Sequence, residues 1–152
     1  MAKKLRKILQ KVVRPMILRP KRVQFAALCT RKKKSQTQVL LITSRDTGRW
    51  VIPKGWPIDG LDGAGSAAQE AWEEAGVRIT ASDTIPMGHF TYDKVLKDGS
   101  AVPVRTTVYR VHVKELADEF PEAGQREREW VTPQEAAKRV HEPELSAILR
   151  TL

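Results

Sequence analysis

Residues Gly55 to Val77 read GWPIDGLDGAGSAAQEAWEEAGV, a glycine-rich stretch that runs into an acidic, alanine-rich segment. Glu70, Glu73 and Glu74 stand at i, i+3 and i+4 of that segment. On a helix this spacing puts all three on one face, with Cβ atoms roughly 5–6 Å apart. Carboxylates held that close repel one another and weaken the helix. A hard divalent cation such as Mg²⁺ or Mn²⁺ reverses the effect, because it takes oxygen ligands and neutralises the cluster. The plain alternative is a solvated acidic helix face. Against it stand the glycine loop, which lets backbone approach a ligand closely, and Gly76 at the expected helix stop. A loop that feeds a carboxylate-lined helix suits metal-assisted cleavage of a phosphoanhydride.

Gly55, Glu70, Glu73, Glu74, Gly76 and Val77 carry a resemblance to the Nudix box, G-x5-E-x7-R-E-U-x-E-E-x-G-U with U aliphatic. Two positions depart from it. Leu61 stands where the pattern has its first glutamate, and Gln69 where it has its arginine. In the family those side chains generally pair and brace the loop on the helix, so losing both leaves no orphaned charge. The expectation is a replaced brace, with Asp59 or Asp62 as candidate substitutes. The resemblance implies an α/β fold, an α/β/α sandwich around a mixed β-sheet, over about residues 21–145. It also implies metal ligation by Gly55 (through its carbonyl), Glu70, Glu73 and Glu74. One of these glutamates, or Glu127 or Glu129, would be the general base.

Outside the box, several segments resemble the diphosphoinositol polyphosphate phosphohydrolases, which also cleave dinucleoside polyphosphates. They are Lys21-Arg22 before Ala26–Cys29, Ser44-Arg45 before Arg49–Pro53, Arg105-Thr106 with Val108-Tyr109, and Arg128–Trp130. A phosphate-rich small molecule is therefore the expected substrate, gripped by Arg22, Ser44, Arg45, Lys54 and Arg105. Guanidinium forks grip phosphate oxygens bidentately, which suits the arginines to that role. ADP-ribose, a nucleoside triphosphate or an RNA 5′ end are alternative substrates. A catalytically weak ligand-binding module is the alternative to an enzyme.

The composition is that of one compact domain: 152 residues, 41% hydrophobic, with no apolar run approaching the roughly 20 residues of a membrane span. Cys29 is the only cysteine, so an intrachain disulfide is excluded and a reducing, cytoplasmic setting is expected. Charge is uneven. Residues 1–34 hold 13 of the 27 Lys and Arg and no acid, so the net +9 is a +13 arm on a −4 body. Within residues 1–20, Leu5, Ile8, Leu9, Val12 and Val13 recur at helical spacing, and Pro15 and Pro20 break the pattern. Such an arm is able to dock on the domain, or to contact nucleic acid or an anionic membrane. The domain proper is placed at 21–152.

Further elements follow from local signals. Arg22–Cys29 and Gln38–Thr43 read as strands joined by a basic turn, Arg31–Ser35. Arg49–Ile52 reads as a short strand, and a helix is expected from about Ser66, its N-cap, to Ala75. Met87–Leu96 and Val102–Val113 flank the hairpin signal Lys97-Asp98-Gly99-Ser100. Thr132-Pro133-Gln134-Glu135 reads as a capping box that opens one last helix to Arg150. His89, His112 and His141 show no zinc-ligand spacing. Trp50, Trp56, Trp72 and Trp130 are expected mainly in packing, with Trp56 placed to meet a substrate ring.

Overall fold

The computed structural model describes residues 22–152, so the basic arm at 1–20 lies outside the described residues. Strand β1 (Arg22–Lys33) turns directly into β2 (Gln36–Thr43). The turn is only Lys34 and Ser35, both in the left-handed region at φ 51° and 64°. This is the two-residue hairpin geometry that matches strand twist. The expected five-residue turn is therefore too long, and Arg31, Lys32 and Lys33 lie on the strand. Two short strands follow, β3 (Trp50–Val51) on β2 and β4 (Lys54–Gly55) on β1.

After helix α1 (Gly63–Ala75) come β5 (Val77–Ser82), β6 (Gly88–Val95) and β7 (Ala101–Leu116). The hairpin between β6 and β7 turns at Lys97–Ser100 as expected, with Val95 opposite Ala101. Strand β8 (Arg128–Val131) pairs with β2. Strands β1 and β7 run parallel from Arg22↔Val104 to Thr30↔His112, and the other pairings are antiparallel. The result is one mixed eight-stranded sheet.

Alternation along the central strands feeds two cores. Ala27, Cys29, Leu40 and Ile42 pack with Ala67, Ala71 and Ala75 of α1. The opposite face sends Ala26, Leu28, Val39 and Leu41 against the C-terminal helices α2 (Pro133–Arg139) and α3 (Pro143–Leu149). This is the expected α/β/α sandwich. Its two faces differ in texture, since the helix side chains that α1 adds to the apolar core are all alanines. Small residues at i, i+4 and i+8 let the helix approach closely, and that proximity brings Glu70 and Glu74 beside β4.

Helix α1 begins three residues before the expected start. Its N-cap is Asp62, whose Oδ1 accepts from the Gly65 N–H at 2.7 Å. Gly63 has low helix propensity but is required there, because a Cβ would lie 2.5 Å from the Tyr109 hydroxyl and 2.9 Å from the Phe25 ring. Ser66, expected as the cap, is fully buried in the first turns. At the far end Gly76 takes φ 67°, the left-handed stop its position implied.

The expected last helix is two helices. Thr132 caps α2 as read, accepting from the Glu135 N–H at 3.1 Å. The chain then turns extended at Val140 and Glu142 before Pro143 opens α3. Proline cannot donate to the previous turn and drives the residue before it out of the helical region, so one continuous helix is excluded.

Candidate active site

The floor of the site is the junction of β4 and α1. Gly55 lies against the Glu70 carboxyl so closely that a Cβ there would collide with it. Glu74, one helical turn on, is 11% exposed in its side chain. It receives a 3.4 Å hydrogen bond from the Lys54 N–H and faces Arg126 Nη2 at 3.9 Å. Burial pushes the Glu74 carboxyl up to about 7, against the pull of Arg126 and Lys54. Glu70 is likewise raised to about 7, first by burial and then by repulsion from Glu74, Glu73 and Glu122. Two carboxyls that resist ionisation side by side form an oxygen donor set short of positive charge.

That chemistry fits a divalent cation, with Glu70, Glu74 and the Gly55 backbone as the residues to hold it. Among the described residues no three Asp, Glu, His or Cys side chains converge to hold an ion by themselves. A backbone carbonyl or solvent would have to complete the shell. Glu73 contributes charge without lining the cleft, and its Oε1 accepts from Gln69 Nε2 at 3.2 Å.

Above this floor opens a cleft of about 540 Å³. Of the expected substrate-binding residues it is lined by Ser44, Arg45 and Lys54. Arg45 Nη1 stands 3.3 Å from Glu122 and donates to Gln125 Oε1 at 3.0 Å. Burial holds Lys54 below its ordinary pKa, partly countered by Glu74 and Glu142, and its Nζ lies 5.0 Å from the Tyr92 ring centroid. Trp50, Trp56 and His141 also line the cleft.

Arg22 and Arg105 lie outside that lining. Arg22 pairs with Val104 and Val23 with Arg105, so strand alternation sends the two guanidinium groups to opposite faces of the sheet. Arg105 Nη2 instead meets His89 Nδ1 at 3.3 Å. Neither candidate base beyond the box reaches the cleft lining. Glu129 is held by Arg139 at 2.7 and 3.3 Å, and the Glu127 N–H donates to Thr43 Oγ1 at 2.9 Å.

Sequence reasoning missed Arg126, Glu122, Gln24, Tyr92 and Glu142, all of which line the cleft. Arg126 is the most consequential. Its side chain is 9% exposed, it donates to the Thr43 carbonyl and to Glu122, each at 3.2 Å, and its buried Nε has no partner. Only the alternating run Arg126-Glu127-Arg128-Glu129 marked the segment, and such runs are ordinarily solvated.

The loop brace is replaced by two contacts. Leu61 is 46% exposed and braces nothing through charge. Asp62 caps the helix, as already described, and the Ile58 N–H donates to Ser66 Oγ at 3.2 Å. The loop is thus fastened to the first turns of α1 by neutral and capping bonds.

Comparison with known proteins agrees with this geometry. A family model described as NUDIX domain matches residues 20–152. Human diphosphoinositol polyphosphate phosphohydrolase 3-beta is 30% identical over 122 residues, 78% of this chain and 70% of that protein. Among solved structures, the Caenorhabditis elegans Ap4A hydrolase superposes with a TM-score of 0.59 at 21% identity, covering 86% of this chain and 94% of that one. The NUDIX domain of Shewanella oneidensis NrtR, solved with ADP ribose, gives 0.62 at 13% identity over 95% and 96% of the two chains. At such identities the structural likenesses speak for the fold alone.

Proposed function

As this chain belongs to the NUDIX family, we propose that it is a metal-dependent pyrophosphohydrolase whose substrates are phosphate-rich small molecules of the diphosphoinositol polyphosphate or diadenosine polyphosphate type. It is a hydrolase acting on phosphorus-containing acid anhydrides. The observation that carries the finer reading is the Glu70–Glu74 pair set against Gly55, facing Arg45, Lys54 and Arg126 across one cleft.

The residues divide the work by charge. Arg45, Lys54 and Arg126 bind and orient the phosphates, with the Arg126 guanidinium held in place by the Thr43 carbonyl and Glu122. Glu70 and Glu74 orient the attacking water, and one of them takes its proton as the oxygen closes on phosphorus in line with the leaving phosphate. A bound Mg²⁺ or Mn²⁺ would supply charge neutralisation and a more acidic water at this pair. Phosphoryl transfer asks mostly for positioning and neutralisation, which suits a site built from fixed cations and carboxylates. The buried free thiol of Cys29 supports a reducing, cytoplasmic setting as part of the same proposal.

The test is phosphate and pyrophosphate release from a substrate panel with Mg²⁺ or Mn²⁺ and with chelator. The panel holds diphosphoinositol polyphosphates, diadenosine penta- and hexaphosphate, ADP-ribose, nucleoside triphosphates and triphosphorylated RNA. Preference for the phosphate-rich members, abolished by chelator, is the expected result. Turnover of none of them, with metal-dependent binding intact, would replace the hydrolase with a binding module.

A further inference from the structure

Segment 117–127 brings two charged groups, Glu122 and Arg126, to the cleft, yet it contains neither helix nor strand. With no ladder of its own, it takes its position from what it is tied to. One tie is to the end of β2, where the Thr43 N–H donates to the Glu127 carbonyl at 3.1 Å. The other is to the C-terminal end of α1, the helix that carries Glu70 and Glu74.

A helix leaves the carbonyls of its last turn without intrahelical partners. Here the Glu122 N–H donates to the Glu73 carbonyl at 3.0 Å, and the Ala117 N–H to the Gly76 carbonyl at 2.8 Å. The Ala75 carbonyl is taken by a side chain. Arg128 Nη1 donates to it at 2.9 Å, and at the same distance to the Ala117 carbonyl. One guanidinium nitrogen thus clamps the end of the helix to the start of the segment. The same guanidinium stands 4.9 Å from the centroid of the Phe120 ring, which fills the space beside Gly76 so closely that a Cβ there would meet it at 2.5 Å.

The cleft does not use Arg128 directly. It is absent from the cleft lining, and among the described residues no carboxylate pairs with it within 4 Å. Strand alternation places it on the α1 side of β8 together with Trp130, which packs against the α1 core, and away from Glu129. An arginine committed to two carbonyls and an aromatic face uses a planar fork that lysine lacks.

We propose that Arg128 is a positioning residue for the phosphate grip: it sets segment 117–127 against the end of α1 and thereby holds Arg126 over Glu74. The inference rests on the hydrolase reading and adds to it a residue that touches neither substrate nor metal. Arg126 lies two residues before Arg128, and its Nη2 stands 3.9 Å from Glu74. A shift of the segment by about 1 Å is enough to misplace such a group.

The experiment is a double-mutant cycle on the full chain with Mg²⁺ and the panel member that the wild type turns over fastest. It compares wild type, Arg128→Met, Arg126→Ala and the double variant, each well below its Tm. Arg128→Met keeps most of the stem and removes the fork. It should raise KM about tenfold, with kcat within about threefold and Mn²⁺ affinity within about twofold. In the Arg126→Ala background the same change should alter KM less than about twofold, because the group it positions is gone. Arg128→Lys keeps the charge and should fall between, and it carries the same cycle if Arg128→Met does not fold. A lower Tm with unchanged KM would make Arg128 a structural tie and overturn the inference, as would equal KM factors in the two backgrounds. Turnover of no panel member by the wild type would instead sink the hydrolase reading. The same cycle, read as calorimetric affinity for diadenosine hexaphosphate, would then decide the positioning role.

Discussion

Glu74 and Glu129 each face an arginine, and the two pairs lie on opposite sides of the sheet. Glu129 takes a two-pronged grip from Arg139 at 2.7 and 3.3 Å, which holds its carboxyl below the usual range. Glu74 meets Arg126 only at 3.9 Å, in a buried pocket that raises its carboxyl to about 7. The first acid is satisfied, ionised and half exposed, and it ties α2 to β8. The second is under-compensated, because Arg126 is shared with Glu122 and the Thr43 carbonyl. A glutamate with its full complement of donors is a structural tie. One held short of them in a cleft is available to a ligand.

The sharpest way to break this contrast is to neutralise each acid in turn. Glu74→Gln is expected to lower kcat by about 10³-fold or more with the fold intact by circular dichroism, whereas Glu129→Gln should leave kcat within about twofold. Comparable losses in both would erase the distinction. Gly55→Ala comes next, since its Cβ would displace the Glu70 carboxyl. A drop in kcat of roughly 100-fold is expected, following the cost of a misplaced catalytic group. Arg126→Ala should raise KM about 10- to 100-fold through loss of a phosphate fork. Arg139→Ala should change Tm and leave KM alone.

The acid–base contrast also predicts a pH signature. Glu70 and Glu74 have folded pKa values of about 7, above their ordinary 4.5. Their contribution to stability is therefore full below about pH 4.5 and is lost as pH rises through 7. The metal-free protein should melt several degrees lower at pH 8 than at pH 5.5. Added Mg²⁺ should raise Tm more at pH 8, where the carboxylates are free to bind it. A Mg²⁺ gain that does not grow between these two pH values would count against the pair as its site. The smallest effect is reserved for Arg22→Ala and Arg105→Ala. Lying outside the cleft lining, they should change kcat/KM less than about threefold, and a larger loss in either would extend the site beyond the cleft.

The site was legible where chemistry and local structure use the same residues. Glu70 and Glu74 had to share a helix face, and Gly76 had to end that helix. Thr132 and the Asp98-Gly99 turn declared themselves for the same reason. Legibility failed where the deciding contact is distant in the chain. Gly63 reads as a helix breaker until Phe25 and Tyr109 are seen to leave no room for a side chain. Lys34 and Ser35 carry no glycine signal for the left-handed turn they make. Arg126 reaches Glu74 across 52 residues, and a charged run gives no hint of which member turns inward. Arg22 and Arg105 show the converse: their resemblance to phosphate-binding positions was visible, but the register that parts them is a property of the assembled sheet. The break at Pro143 was written in the sequence, and the proline outweighed the helical pattern around it.

Whether the Glu70–Glu74 pair holds the divalent ion can be decided without turnover. Mn²⁺ binding to the full chain is followed by electron paramagnetic resonance at pH 8, in wild type and in the Glu70→Gln/Glu74→Gln double variant. Saturable binding is expected in the wild type, with at least about a 100-fold loss of affinity in the variant, as follows when two charged oxygen ligands are removed. Unchanged Mn²⁺ affinity in a folded double variant would contradict it and move the metal, and the chemistry with it, away from the box helix.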